Sequence, residues 1–161
     1  MELRFYCFVN YYLSSIQQGI QTGHAAVDVV RKYTRGAQDF ANKVTPYRTS
    51  LVEDWADNHK TFVTLNGGNS AGIKAATAIC DASGFPYSVF NEDDASLDGI
   101  QTCVGIVLPE SVFAARIQRP DNFSTIPYYR YVCANESYRH TFPGDEHYDL
   151  INLVTSAGLA K

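Results

Sequence analysis

No apolar run in this 161-residue chain is long enough to cross a bilayer. Residues 104–108 are typical of the longest, against the roughly 20 apolar residues that a spanning helix needs. The opening Met1-Glu2-Leu3-Arg4-Phe5 has no basic stretch leading into an apolar segment and a small-residue cleavage site, so no secretory signal is expected. Cysteine is sparse. Cys7, Cys80, Cys103 and Cys133 are scattered and form no C-x-x-C pair, which argues against thiol–disulfide chemistry or a zinc knuckle and for a reducing cytoplasm. Positive charge is short as well: 13 Lys and Arg stand against 17 Asp and Glu, for a formal net charge of −4. That balance excludes overall positive charge as the main grip on nucleic acid, while leaving room for a local basic surface.

Several chemical signatures are also missing. The Walker and G-x-G-x-x-G patterns, the G-x-S-x-G elbow, the H-E-x-x-H spacing and the EF-hand loop are all absent. No cysteine has an activating context, so a covalent nucleophile is disfavoured. His140 and His147 are separated by Pro143 and Gly144, which breaks any shared helix, and no metal or other cofactor is expected. What remains is ample material for one domain. At 45% hydrophobic and 19% charged residues, a disordered chain is excluded and a sizeable core is affordable.

Periodicity orders the first two thirds. Residues 3–10 alternate as a strand whose second face carries Tyr6 and Phe8, as a central strand covered on both sides would. Ser14 or Ser15 offers an N-cap for a helix to about Lys32. Ile16, Ile20, Gly23, Val27 and Val30 follow the helical repeat and are expected to form its buried stripe. Gly19 and Gly23 inside that helix cost roughly 1 kcal/mol each relative to Ala, which suggests close packing nearby. Residues 33–50, with Arg35, Lys43 and Arg48 following Arg31 and Lys32, read as an exposed basic insertion. Residues 51–56 form a short helix and 60–65 a strand. The turn Asn66-Gly67-Gly68-Asn69-Ser70 leads into a helix over 70–83, and residues 86–90 and 102–108 are strands. This order predicts a three-layer α/β/α fold on a mixed four-stranded sheet over residues 1–109, with residues 110–161 as a C-terminal extension packed on the same domain. Within that extension, residues 128–133 read as a strand and 147–159 as a closing helix.

Two constellations could carry chemistry. Gln17, Gln21, His24 and Asp28 fall on one line of the first helix, and His24 is the member able to move a proton near neutral pH. The plainer alternative is a solvated face. Glu92, Asp93, Asp94 and Asp98 crowd a loop just past a strand end, where ligands of open α/β sheets tend to lie, although a solvated turn would look the same. The late segment Tyr128-Tyr129-Arg130-Tyr131 and Tyr138-Arg139-His140 interleaves rings with arginine, as either a base-stacking surface or an edge strand.

Ile20-Gln21-Thr22-Gly23-His24-Ala25-Ala26 resembles the A-Q-x-x-H-A signature of class II (archaeal and eukaryotic-type) peptidyl-tRNA hydrolases. Trp55 with Lys60-Thr61-Phe62-Val63 is similar to that family's short helix and second strand, and Asp94-Ala95 with residues 102–108 to its D-A-G loop and last strand. The whole pattern looks closest to divergent members from bacteria and their phages. The resemblance implies metal-free cleavage of the ester between a peptide and tRNA. It assigns His24 and Asp94 to activating water, and Gln21 and Thr102 to holding the ester carbonyl. The basic residues Arg31, Lys32, Arg35, Lys43 and Arg48 would meet tRNA phosphates. Gln17 stands where the family has a lysine, and Ser96 and Asp98 replace the loop glycine and threonine. A missing cation weakens both phosphate contact and oxyanion stabilisation. The sequence therefore supports two readings: a cytoplasmic esterase acting on peptidyl- or aminoacyl-tRNA, and an inactive binding module of the same fold for tRNA, a nucleotide or a host protein. A homodimer is compatible with both, and no membrane partner is expected.

Overall fold

The computed structural model describes residues 2–35, 43–92, 99–118, 128–133, 136–140 and 146–160, the side chains of 117–147 excepted. Strand β1 (Leu3–Val9) lies inside a four-stranded sheet of order β2-β1-β4-β3. It pairs in parallel with β2 (Thr61–Asn66) and antiparallel with β4 (Gln101–Pro109), and β4 pairs antiparallel with β3 (Tyr87–Asn91). The sheet is mixed, as the order of elements predicted. Helix α1 (Ser15–Thr34) and helix α2 (Pro46–Asp54), which runs into a π-helical turn at Trp55–His59, cover the face bearing Phe5. Helix α3 (Ser70–Ala82), the short α4 (Glu110–Phe113) and α5 (Glu146–Ser156) pack on the other. Leu150, Ile151 and Val154 of α5 join the same core as β1 and β4. Strands β5 (Arg116–Gln118), β6 (Tyr128–Cys133) and β7 (Glu136–His140) form a separate antiparallel sheet in that order, of which the sequence had indicated only β6.

Helix α1 begins as expected: Ser14 accepts a hydrogen bond from the Gln17 backbone, and the Gln17 side chain returns to Ser14. Its buried stripe is not the expected one. Gln18, Thr22, Ala25, Val29 and Tyr33 face the sheet, while Ile16, Ile20 and Val27 face solvent. The reason is close approach. Small side chains at Thr22, Ala25 and Ala26 bring the helix backbone down to the strands, so that Ser88 Oγ donates to the Ala25 carbonyl at 2.6 Å. The polar members of the stripe are satisfied in place: Gln18 Nε2 donates to the Leu13 carbonyl at 3.0 Å, and Thr22 Oγ1 to the Gln18 carbonyl at 2.8 Å. Burying such groups costs little once they are bonded.

The described parts of residues 33–50 also correct the expectation of an exposed insertion. Tyr33 and Val44 belong to the core, and α2 starts at Pro46, five residues earlier than its apolar pattern suggested. Thr45 caps α2, accepting from the Arg48 backbone with Pro46 in the first turn. At the far edge of the sheet, residues 158–160 run beside β2. Asn66 N–H donates to the Gly158 carbonyl at 2.8 Å, and Ala160 N–H to the Thr64 carbonyl at 3.1 Å.

Gly105 shows how tightly the α1 face is filled, because a Cβ there would overlap the Phe5 ring. Gly105→Ala is expected to destabilise the fold by about 1–3 kcal/mol, the usual cost of overpacking a dense core. Urea unfolding would show it as a lower midpoint at unchanged slope.

Candidate functional site

The carboxyl ends of the parallel strands β1, β2 and β3, the start of β4, and the N-termini of α1 and α3 all lie at one end of the sheet. The register of β3 on β4 changes there. Phe90 pairs with Cys103 but Asn91 with Gln101, leaving Thr102 as an extra residue. This β-bulge turns two consecutive side chains of β4 toward α1. Cys103 Sγ donates to the Gln21 carbonyl at 3.4 Å, and Thr102 Oγ1 donates to Gln21 Oε1 at 3.1 Å. Gln101, before the bulge, reaches the opposite helix, where its Nε2 donates to Thr77 Oγ1. On the β1 side, the Asn10 N–H donates to the Thr102 carbonyl at 3.0 Å and pins the bulge.

Gln21 is therefore held at both ends of its amide. Its Oε1 accepts from Thr102, and its Nε2 donates to Glu92 Oε1. Both Gln21 and Thr102 are buried. His24, one turn along α1, is exposed, and its ring stacks flat on Phe90 with centroids 4.5 Å apart and planes at 11°. The structure thus brings Gln21, His24 and Thr102 together, with Glu92 as the carboxylate in contact. Glu92 belongs to the acidic cluster read from sequence, but its bond to Gln21 was not foreseen. Asp94 lies outside the described residues. Cys103 is no nucleophile, because its hydrogen bond with Cys7 and then burial push its thiol pKa up.

The remaining site candidates scatter. Gln17 is spent on the helix cap, its Oε1 accepting from the Ser14 N–H at 3.0 Å and from Ser14 Oγ at 2.9 Å. Lys32 lies over the Tyr87 ring at 4.6 Å. Lys43 pairs with Asp81 at 2.5 Å, and the bonds from Lys43 and Tyr87 hold the Asp81 carboxyl below the usual range. Arg48 is corrected outright. It is buried, its Nε donating to the Gly84 carbonyl at 2.7 Å and its Nη1 to the Lys43 carbonyl at 3.1 Å, so it ties α2 to the end of α3 and offers nothing to a ligand. Arg31 and Arg35 make no ion pair with a described residue and border a cleft of about 440 Å³ with Val27, Trp55, Lys60 and Phe62. Two features near the strand ends were missed by sequence reasoning. One is Lys74, which with Ser70, Asn91 and Gln101 lines a cleft of about 410 Å³. The other is the exposed pair Tyr11 and Tyr12, whose centroids are 4.0 Å apart. Neither follows a spacing rule. No helix among the described residues is long and apolar enough to cross a membrane.

The family model for peptidyl-tRNA hydrolase PTH2 matches residues 14–116. That span exceeds half of the chain and contains Gln21, His24, Glu92, Asp94 and Thr102. No curated protein matches the sequence.

Thr102→Val removes the donor to a buried amide oxygen. It is expected to destabilise the protein by about 1–3 kcal/mol, the cost of an unsatisfied buried acceptor, whereas Thr102→Ser should retain most of the stability. Chemical denaturation of the two variants side by side would separate loss of the hydroxyl from loss of the methyl.

Proposed function

The chain belongs to the peptidyl-tRNA hydrolase PTH2 family, and we propose that it is a cytoplasmic esterase that frees tRNA by hydrolysing the ester to a peptidyl or aminoacyl group. The observation that carries this reading is the fixed amide of Gln21 beside the exposed ring of His24. A primary amide has two N–H bonds, and one of those on Gln21 is taken by Glu92. The second has no partner among the described residues and would donate to the ester carbonyl as negative charge develops on its oxygen. Thr102 and Glu92 act as positioning residues that prevent the amide from flipping. His24 takes the proton of the attacking water, with Asp94 orienting it. The tetrahedral intermediate then collapses, expelling the ribose oxygen, which receives that proton.

Arg31 and Arg35 lie 7 and 11 residues beyond His24, about 10 and 16 Å along the helix axis, within reach of phosphates upstream of the ester. Lys32 and Lys43 would have to leave present partners to join them. The departures at Gln17, Ser96 and Asp98 favour a divergent member, of the kind carried by bacteria and their phages.

One observation favours the inactive alternative. Gln17, in place of the family's lysine, is committed to the cap and supplies no charge. In that reading the fold binds tRNA, a nucleotide or a host protein without turnover.

Hydrolysis of a defined peptidyl-tRNA decides between them. His24→Ala or Asp94→Asn should lower turnover by on the order of 10²-fold or more, the usual worth of a positioned acid–base group. Glu92→Gln should lower kcat with little change in KM, because it acts through Gln21. Normal rates in both His24→Ala and Asp94→Asn would eliminate the assignment. Salt-dependent tRNA binding with the acyl group left in place would establish the inactive module instead.

A further inference from the structure

The cleft of about 440 Å³ between α1 and the π-helical turn collects cations that no described acid answers. Arg31 comes from α1, Arg35 from its C-cap and Lys60 from the residue before β2, and all three are exposed. None makes an ion pair with a described residue, and no described Asp or Glu lines the cleft. Asp28, the one acid of α1, lies about 100° round the helix from Val27 and outside that lining. In a chain of formal net charge −4, such a gathering makes a local positive field. The floor between the cations is apolar. Phe62, 48% exposed, is braced there by Trp55 and Phe5, which meet its ring at near right angles with centroids 5.3 and 5.7 Å away. Trp55 is itself tied down, its Nε1 donating to the Thr61 carbonyl at 3.1 Å. A rigid aromatic ring, half open to solvent, thus stands among three positive charges.

Lys60 is held against its own backbone preference. The turn from Trp55 to His59 is π-helical and ends on Lys60 with φ 53° and ψ 19°, in the left-handed region. The Lys60 N–H closes the turn on the Trp55 carbonyl at 2.9 Å, a bond that any residue but proline could make. Glycine would make it without strain and is the usual residue at such a position. π-Helical turns and strained residues gather at functional sites. What lysine adds over glycine is a charged side chain, and that side chain lines the cleft.

The occupant must bring a negative charge and a flat apolar ring into one small space. A nucleotide joins the two through its ribose, whereas an acidic side chain brings charge without a ring. The volume suits one such unit, lying toward the lower end of the range for small-ligand sites. The position suits it too. Arg31 lies close to the helix line of His24 and about 10 Å along the axis, roughly three nucleotides of a stacked strand from the ester. We propose that the cleft seats one unpaired nucleotide of the tRNA acceptor end, its base stacked on Phe62 and its phosphate among Arg31, Arg35 and Lys60. The inference rests on tRNA being the substrate. It adds a base contact that is indifferent to sequence, since every base offers a face to stack.

Fluorescence anisotropy of the full chain at low salt would compare intact deacylated tRNA with tRNA trimmed of its unpaired 3′ nucleotides. Wild type should hold the intact form more tightly. Phe62→Ala should weaken that binding by about 5–150-fold, the worth of one stacked base, and leave binding of the trimmed form unchanged. Phe62→Tyr should retain it. Lys60→Gly should also weaken it, and should lower the slope of log Kd on log salt by about 0.7, one phosphate contact to a single strand. Its thermal midpoint should not fall, because glycine relieves the left-handed backbone, so the test survives a poorly folded Phe62→Ala. Equal binding of the two tRNAs overturns the proposal, as does polyglutamate competing as well as intact tRNA, the mark of a surface that recognises charge alone. Peptidyl-tRNA hydrolysis with unchanged KM in both Phe62→Ala and Lys60→Gly overturns the cleft and leaves the hydrolase reading standing, whereas a wild type that binds no tRNA overturns both.

Discussion

One extra residue in β4 holds the site together. Without the bulge at Thr102, strict alternation would turn Thr102 and Cys103 to opposite faces, and only one could meet α1. With it, both address Gln21, one through the amide oxygen and one through the backbone carbonyl. The Asn10 N–H bonds the Thr102 carbonyl from the neighbouring strand, so the irregularity is fixed from both sides. Glu92 completes the arrangement from the end of β3. A buried glutamine that could otherwise flip is left one orientation, and its remaining donor is aimed by construction rather than by chance.

The close approach of α1 to the sheet follows from the same economy. Thr22, Ala25 and Ala26 present little bulk, so the helix backbone comes within reach of Ser88 and the Thr22 hydroxyl meets that of Thr64. This explains why the first strand, the capped helix start, α3 and the paired strands were legible in the sequence while the inward face of α1 was not. The alternation in β1 and the Ser14–Gln17 box are local signals. The choice between two faces of α1 depends on which side chains allow contact, and hydropathy alone prefers Ile16 and Ile20 to Gln18 and Thr22. The hidden polar groups pay their cost through partners that no spacing rule reveals. Strands β5 and β7 were equally opaque, being short and without a clean alternating pattern.

At the site, Gln21 and His24 were legible from their helical spacing, Thr102 because a resemblance named it, and Glu92 only as one acid among several. The basic residues from 31 to 48 were read as one surface because they are close in sequence. In space they divide: Arg48 locks α2 to the end of α3, Lys43 answers Asp81, Lys32 rests on tyrosine, and Arg31 and Arg35 face outward. A run of like charge in sequence therefore says little about a surface until the fold shows which cations already have partners.

The strip formed by residues 158–160 along β2 has a further bearing on how the chain comes together. An unpaired strand margin is a template for adhesion between molecules, and here the covering segment is encoded almost one hundred residues after the strand it protects. During synthesis β2 can pair with β1 long before that cover exists, so the nascent sheet must pass through an interval with a bare border. The tendency of partly folded chains to adhere would then depend on the time that residues 158–160 take to dock, rather than on the stability of the finished core.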